Sequence, residues 1–281
     1  MLTSLHLFAG AGGGLLADLI LGHEPIAAVE WDAYCCQILR ERAADGWFPG
    51  LRVHEGDVRL FDPSEYAGRV DCIHAGFPCQ DISAAGKGAG ITGARSGLVS
   101  EVFRAIDAIR PRFVFLENSP RIESRGRPEV IAALVARGYA YRDGTIAASD
   151  VGAWHKRERW FCLSANADGL RQLQQEGGEP DERGWIDYGN QKIASDLMRP
   201  RRAIRSGVSA AQEIPNLRSP VDLGTRESLE PATATWFEAE PALDRLVYGI
   251  PDGMVPASNK ALGNAQVPIQ AALAWKLLGG P

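Results

Sequence analysis

Leu5-His6-Leu7-Phe8-Ala9-Gly10-Ala11-Gly12-Gly13-Gly14-Leu15-Leu16-Ala17-Asp18-Leu19-Ile20-Leu21-Gly22 reads as a strand, a glycine-rich turn and a helix closed by glycine. A short apolar run that hands over through glycines to helical spacing is the opening of a βα unit, so an open α/β domain on a mostly parallel sheet is expected. Glycines here let the backbone approach a ligand and leave amides open at a helix amino terminus, which suits a nucleotide-like or carboxylate-bearing cofactor. The dinucleotide pattern GxGxxG is not met, because Leu15 stands where its third glycine belongs.

Outward from that turn, a second strand, Ile26–Val29, ends in Glu30, whose carboxylate can accept from both hydroxyls of a ribose. Trp31 follows with a flat face for a base. An ordinary βα turn with a surface glutamate is the plain alternative. Asp32 is a good helix cap, and a helix is expected from it to about Ala44. A third strand, Leu51–His54, leads to Asp57, another acid at a strand's carboxyl end, placed to accept from an exocyclic amine.

The next apolar run, Val70–Ala75, reads as a buried strand and delivers Gly76-Phe77-Pro78-Cys79-Gln80-Asp81-Ile82-Ser83. A cysteine at the carboxyl end of such a strand sits where open α/β sheets collect ligands and where a thiol can act as a nucleophile; a small apolar residue in a loop is the bland reading. The stretch Ala84–Arg95 is rich in glycine and basic, the composition of a mobile lid or of a plain flexible loop. A helix over about 97–109 and the strand Phe113–Leu116 then run into Glu117-Asn118-Ser119-Pro120. Glu117 can exchange a proton beside Cys79, or cap the following helix. A helix near 128–137 and a strand near 141–148 precede His155-Lys156-Arg157-Glu158-Arg159 entering Trp160-Phe161-Cys162-Leu163. If all of this is strand, Arg157 and Arg159 share a face and ask for an anion or a carbonyl, with a surface salt-bridge ladder as the alternative.

A chain of 281 residues with 45% apolar content builds a real core of one large or two modest domains. No apolar run approaches the ~20 residues of a membrane span, and Met1–Leu5 lacks a signal peptide's basic start, so no membrane association and a cytoplasmic location are expected. Five cysteines, Cys35, Cys36, Cys72, Cys79 and Cys162, without CxxC spacing indicate neither a disulfide framework nor a zinc site, and four of them read as core filler. The net charge of -5 gives no general support to nucleic-acid binding. Lys192 to Arg218, however, holds six cations and two anions, either a solvated face or a nucleic-acid contact.

The order of these pieces closely resembles the cytosine-C5 DNA methyltransferases. Phe8-Ala9-Gly10-Ala11-Gly12-Gly13 is similar to the family's first cofactor motif, Glu30-Trp31-Asp32 to its second, and Asp57-Val58 to its third. Gly76-Phe77-Pro78-Cys79-Gln80 resembles the nucleophile motif, Glu117-Asn118 the acid motif, Arg157-Glu158-Arg159 the QxRxR motif, and Gly263-Asn264-Ala265-Gln266-Val267-Pro268 the last motif. His6 stands for the usual aspartate, Ser119 for a valine, His155 for the glutamine of QxRxR and Ala265 for a common serine.

The resemblance implies a Rossmann-like class I methyltransferase domain over 1–165 and 243–281, with a smaller target-recognition domain over 166–242. Trp185, Tyr188 and Trp236 are the expected core of the smaller domain, base contact being the alternative. Leu243–Pro251 is the expected return into the catalytic domain. S-adenosyl-L-methionine, leaving as S-adenosyl-L-homocysteine, is the implied cofactor, held by Phe8, Gly10, Gly12, Glu30, Trp31, Asp57, Val58, Pro78, Leu98, Asn264 and Ala265, with no metal. Cys79 is implied as nucleophile, with Glu117, Arg159 and Arg157 beside it. Gln80, Ser83, Lys87, Arg95, Arg199, Arg201, Arg202 and Arg205 are expected on double-stranded DNA. The implied enzyme is a monomeric DNA (cytosine-5)-methyltransferase, either with a cognate restriction endonuclease as a further partner or as a solitary phage or host modifier. The rivals are the same chemistry on RNA, a catalytically silent DNA-binding relative and, more distantly, a nicotinamide-dependent oxidoreductase.

Overall fold

The computed structural model describes residues 1–78, 97–153, 155–175 and 265–281. Strand β1 (Thr3–Leu7) leads into helix α1 (Gly13–Leu21), then β2 (Glu24–Glu30), α2 (Ala33–Ala44), β3 (Arg52–Glu55) and β4 (Cys72–Gly76). Helix α3 (Val99–Ile109), β5 (Phe113–Asn118), α4 (Ile122–Arg125), α5 (Arg127–Ala136), β6 (Ala140–Ala147), β7 (Glu158–Ala165), α6 (Ala167–Gln175) and α7 (Pro268–Leu277) follow. The seven strands form one sheet in the order β3-β2-β1-β4-β5-β7-β6, with β7 antiparallel to both neighbours and the other pairings parallel. This is the expected Rossmann-like α/β sheet, and its order reverses between β1 and β4, where such sheets open a crevice at their carboxyl ends.

Local chemistry sets the element ends. Gly22 closes α1 in the left-handed conformation at φ 75°, its amide bonded to the carbonyls of Asp18 and Leu19. Asp32 caps α2 by accepting from the Tyr34 and Cys35 amides. Both faces of the sheet are covered, so its strands are apolar on both sides. Leu5, Leu7, Ile73, Ala75, Val114 and Leu116 point to one face with α3 and α5, while Phe113, Phe115, Phe161 and Leu163 point to the other with α1 and α7. On that second face Trp275 of α7 packs edge-on against Phe115, ring centroids 5.4 Å apart, and against His23 at 5.0 Å. Cys35, Cys36, Cys72 and Cys162 are buried, as core filler should be.

Helix α6 lies in the stretch assigned from sequence to a second domain. Its Leu170 and Leu173 pack on the Phe113–Trp275 core, and Arg112 donates to Gln172. Gly169 is required there, because a Cβ would lie 2.6 Å from the Arg112 carbonyl oxygen. The rest of that proposed domain, with Trp185, Tyr188 and Trp236, lies outside the described residues, as does the expected 243–251 return into the catalytic domain. Among the described residues no helix is long and apolar enough to cross a membrane.

Two polar clusters are embedded in this core. Arg127 and Asp143 form an ion pair with side chains 7% and 2% exposed, and Trp160 Nε1 donates to Asp143 at 2.8 Å. Opposite, on the face covered by α1, His6 of β1 and His74 of β4 sit in register with ring centroids 4.7 Å apart. Asp18 of α1 accepts from Ser4 and pairs with His6 at 2.8 Å, with His23 Nδ1 3.6 Å away. Burial alone would push the Asp18 carboxyl up, but His6 and the bonds from His23 and His6 outweigh it and hold it well below the usual range. Burial, aided by His6, pushes His74 down to about 3.

Cutting Asp143 back to alanine strips the buried Arg127 of its carboxylate, and urea unfolding should register a loss of about 3–5 kcal/mol. The His74 shift carries its own sign. An unfolded imidazole titrates near 6.5 and the folded one near 3, so in between only the unfolded chain binds that proton. Stability therefore falls as pH drops through that window, with a slope approaching about 1.4 kcal/mol per pH unit. The His74→Gln protein should lose less stability than wild type between about pH 6.5 and pH 4 in matched urea titrations.

Candidate active site at the carboxyl ends of β4 and β5

The glycine turn is organised by Glu30. One of its carboxylate oxygens accepts from the Gly10 amide at 2.7 Å, and the other accepts from the amides of Trp31 at 2.9 Å and Asp32 at 2.8 Å. A carboxylate has about four acceptor positions, so three amides leave room for a ligand hydroxyl. Phe8 enters the turn at φ 58°, a left-handed conformation uncommon for an aromatic residue, and its half-buried ring leans on the core. A Cβ placed on Gly10 would meet nothing within 4 Å, so the turn has open space beside it. Trp31 is 71% exposed, an indole with no core to cover it.

Asp57, just past β3, caps the turn Val58–Leu60 through the Arg59 amide and is covered by the Arg59 guanidinium. The Arg59 contacts hold its carboxyl below the usual range. Val58 beside it is buried, Leu98 is half-buried at the start of α3, and Pro78 is exposed. An exposed indole, an open glycine turn and two carboxylates at neighbouring strand ends fit an adenosyl cofactor: one flat ring, two hydroxyls and an amine.

Beside this pocket, β5 carries Glu117 to the mouth of the sheet, where its Oε1 meets Arg159 Nε at 2.9 Å and its Oε2 accepts a long bond of 3.4 Å from Gln266 Nε2. The Glu117 side chain retains 12% exposure. Burial raises its pKa, against the opposing pull of Arg159, Gln266 and Arg157. Gly76, paired with Glu117 across β4 and β5, allows this approach: a Cβ there would lie 3.0 Å from Glu117 Oε2 and 3.2 Å from Gln266 Nε2. Asn118, buried, donates to the Phe77 carbonyl at 2.8 Å, which pins the chain two residues ahead of Cys79.

Strand β7 begins at Glu158, one residue later than the alternation argument for Arg157 and Arg159 assumes. Arg157 precedes it at φ 26°, and its guanidinium donates to the Ala265 carbonyl at 2.5 Å instead of lying in strand register with Arg159. Gln270 of α7, fully buried, donates to the Arg157 and Ile146 carbonyls and holds that bend in place. The last motif is therefore wedged against the first. A Cβ on Gly13 would lie 2.3 Å from the Gln266 carbonyl oxygen, so only glycine allows the two segments to meet.

The structure thus gathers Phe8, Gly10, Gly12, Glu30, Trp31 and Asp57 on one side of the crevice and Glu117, Arg157, Arg159 and Ala265 on the other. Cys79, Gln80, Ser83, Lys87, Arg95, Arg199, Arg201, Arg202, Arg205 and Asn264 lie outside the described residues. Sequence reasoning gave no role to Gln266, Gln270 or His74. The legible signal was polarity inside apolar runs, at His6 and His74 in two neighbouring strands. His6, Asp18 and His74 are the one group of three metal-ligand types close enough to share an ion among the described residues, their donor atoms within 4.8 Å. Asp18 is already engaged by Ser4, His6 and His23, which makes the group a hydrogen-bonded core.

The family model for C-5 cytosine-specific DNA methylase matches residues 2–202. Among curated relatives, Type II methyltransferase M.CviJI of Paramecium bursaria Chlorella virus IL3A is 34% identical over 167 residues, 59% of this chain and 43% of that protein. M2.BsuMI of Bacillus subtilis is 31% identical over 201 residues, 66% of this chain and 49% of its own length. M.HhaI of Haemophilus parahaemolyticus is 28% identical over 171 residues, 59% and 50%. The chain spans about half or less of the length of these relatives. Solved structures similar to it include S. pombe Dnmt2 methyltransferase, at 15% identity and TM-score 0.48 over 65% of this chain and 57% of that one. Entamoeba histolytica methyltransferase EhMeth gives 17% and 0.46 over 59% and 53%. With the family model spanning most of its length, the chain belongs to the C-5 cytosine-specific DNA methylase family.

Proposed function

We propose that this protein transfers a methyl group from S-adenosyl-L-methionine to C5 of a cytosine swung out of duplex DNA, through a covalent bond between Cys79 and C6. The observation that carries this reading is Glu117, a carboxyl raised by burial and clamped to Arg159 at the carboxyl end of β5, next to the strand that runs into Pro78 and Cys79.

Cytosine C5 is too electron-poor to attack an alkyl donor unaided, so the ring must first be activated. The Cys79 thiolate forms a bond to C6, the C5–C6 π pair opens, and negative charge moves towards N3 and O2. Glu117, its carboxyl raised by burial, supplies a proton at N3. Arg159, fixed by Glu117 and by its own donation to the Glu158 carbonyl, faces the charge at O2. Arg157 supports the site through Ala265. The cofactor supplies an electrophilic sulfonium methyl when bound. Phe8, Trp31, Glu30 and Asp57 would hold its adenosyl part, Arg59 first swinging off Asp57, with Asn264 at the methionine end. A base then removes the C5 proton, its electron pair restores the C5–C6 double bond as the Cys79–C6 bond breaks, and N3 returns its proton to Glu117.

A base inside a stacked duplex cannot meet these groups, which is why the target must leave the helix. The segment around Ser83, Lys87 and Arg95 would close over it, Gln80 would approach the DNA, and Arg199, Arg201, Arg202 and Arg205 of the 166–242 region would contact phosphates. The family, and the Type II names among its relatives, support DNA as substrate and a restriction endonuclease as companion.

Labelled methyl groups should enter duplex DNA and not tRNA, and bisulfite sequencing of DNA from expressing cells should reveal protected cytosines in one sequence context. Incorporation into tRNA alone contradicts the reading. Glu117→Gln should lower kcat by about 100-fold or more while adenosyl cofactor binding, followed calorimetrically, stays within a few-fold. Because Glu117 must be protonated, wild-type turnover should decline as pH rises through its elevated pKa, and that limb should be absent in the glutamine variant.

A further inference from the structure

Gln266 lies between two buried systems that would otherwise be separate. On one side its amide nitrogen reaches Glu117 Oε2 at 3.4 Å. On the other, its Oε1 and His74 Nε2 are both buried and, each apart from the other, have no hydrogen-bond partner among the described residues. A Cβ on Gly14 would lie 2.9 Å from that Oε1 and 2.9 Å from His74 Cε1, which puts the amide oxygen and the imidazole on either side of one small gap. An acceptor and a ring nitrogen in that gap are complementary when the ring carries its proton on Nε2. Beyond His74 come His6, 4.7 Å away between centroids, and then Asp18, 2.8 Å from His6.

We propose that Gln266 is a positioning residue for Glu117, its amide oriented by the buried His74 imidazole so that its nitrogen donates to the acid. An amide free to rotate would present oxygen to Glu117 as readily as nitrogen, and oxygen would repel the carboxylate. The His74 contact removes that choice. The histidine stays neutral because burial and His6 hold it down to about 3, so it keeps one donor across the working pH range. The arrangement rests on Glu117 acting as the acid described above. It adds that the acid's protonation is set partly from the far side of the glycine turn, through residues that touch neither cofactor nor base.

Several charged groups surround these two, and the test must separate them from Gln266. Glu117 is faced by Arg159 and Arg157 from the β7 end, and His74 by His6 from β1, Asp18 from α1 and His23 after it. Gln266→Met keeps the approximate length and volume of the side chain and all of these charges, and removes the amide's donor to Glu117 together with its acceptor facing His74.

Carbon-13 NMR of labelled glutamate carboxyls, with Glu117 assigned by its loss in Glu117→Gln, reads the acid's midpoint without any need for turnover. In Gln266→Met that midpoint should rise by about half a pH unit or more, because a donor to the charged form has gone. S-adenosyl-L-homocysteine affinity should stay within about threefold, and the alkaline limb of the pH–rate profile should move up with the midpoint. An unshifted Glu117 midpoint overturns the proposal and leaves Gln266 a spacer for the glycine turn. If the variant does not fold, wild type still decides: the Gln266 side-chain amide resonance should follow the Glu117 titration, and an amide indifferent to it overturns the proposal equally. A wild-type protein that methylates nothing would defeat the functional reading and leave this titration to give its own answer.

Discussion

A carboxyl group at the mouth of a covered sheet is the constraint on which the rest of this structure turns. Glu117 comes from β5, its guanidinium partner Arg159 from β7, the glycine that admits it from the end of β4, and its amide partner Gln266 from the segment before α7. Burial makes the anion costly, and Arg159 makes it cheaper. Of these two opposing influences burial is the larger, so the group keeps its proton to higher pH than an exposed glutamate would. A change at any of the four contributing segments therefore alters both geometry and charge at one atom pair.

That dependence explains why small residues sit where they do. Gly13 is compelled by close approach, because Gln266 leaves no space for a Cβ there, while Gly76 sits in tight contact with the ends of the Glu117 and Gln266 side chains. Gly10 differs, because its side is open and its amide is spent on Glu30, so it shapes the turn and keeps the neighbouring space available to a ligand. The histidine pair below the turn supplies a rigid polar floor. Buried polar groups are costly unless partnered, and here Ser4, His6, His23 and Asp18 satisfy one another. The same floor makes the fold sensitive to acid, since His74 must remain neutral within it.

Much of this was legible from residues alone, for physical reasons that can be named. The Asp32 cap, the Gly22 stop and the apolar run before Gly76 are local signals, and the helix and strand ends fall within a few residues of where they point. Glu117 and Arg159 were each legible as a candidate, Glu117 with helix capping and Arg159 with a surface salt-bridge ladder as the alternative, but their ion pair joins strands far apart in sequence and was not anticipated. Arg157 was misplaced in the strand because alternation assumes regular backbone, and its φ of 26° breaks that regularity one residue before β7. Helix α6 escaped notice because Asp168, Arg171 and Gln172 make its stretch look like polar linker, with only Leu170 and Leu173 to anchor it. Gln266 could not be assigned at all: an amide carries no chemistry of its own, and its importance lies in two partners far away in sequence.

In the proposed reaction a thiolate at position 79 adds to a pyrimidine while Glu117 neutralises the charge that addition creates. Duplex DNA carrying 5-fluorocytosine at target sites tests it directly, because fluorine at C5 cannot leave as a proton and the Cys79–C6 bond cannot be released. Mass spectrometry of the wild-type protein incubated with this DNA and S-adenosyl-L-methionine should find one protein per target strand joined through Cys79, with no adduct from Cys79→Ser and slowed trapping by Glu117→Gln. Wild-type protein that binds both ligands and forms no adduct would contradict it.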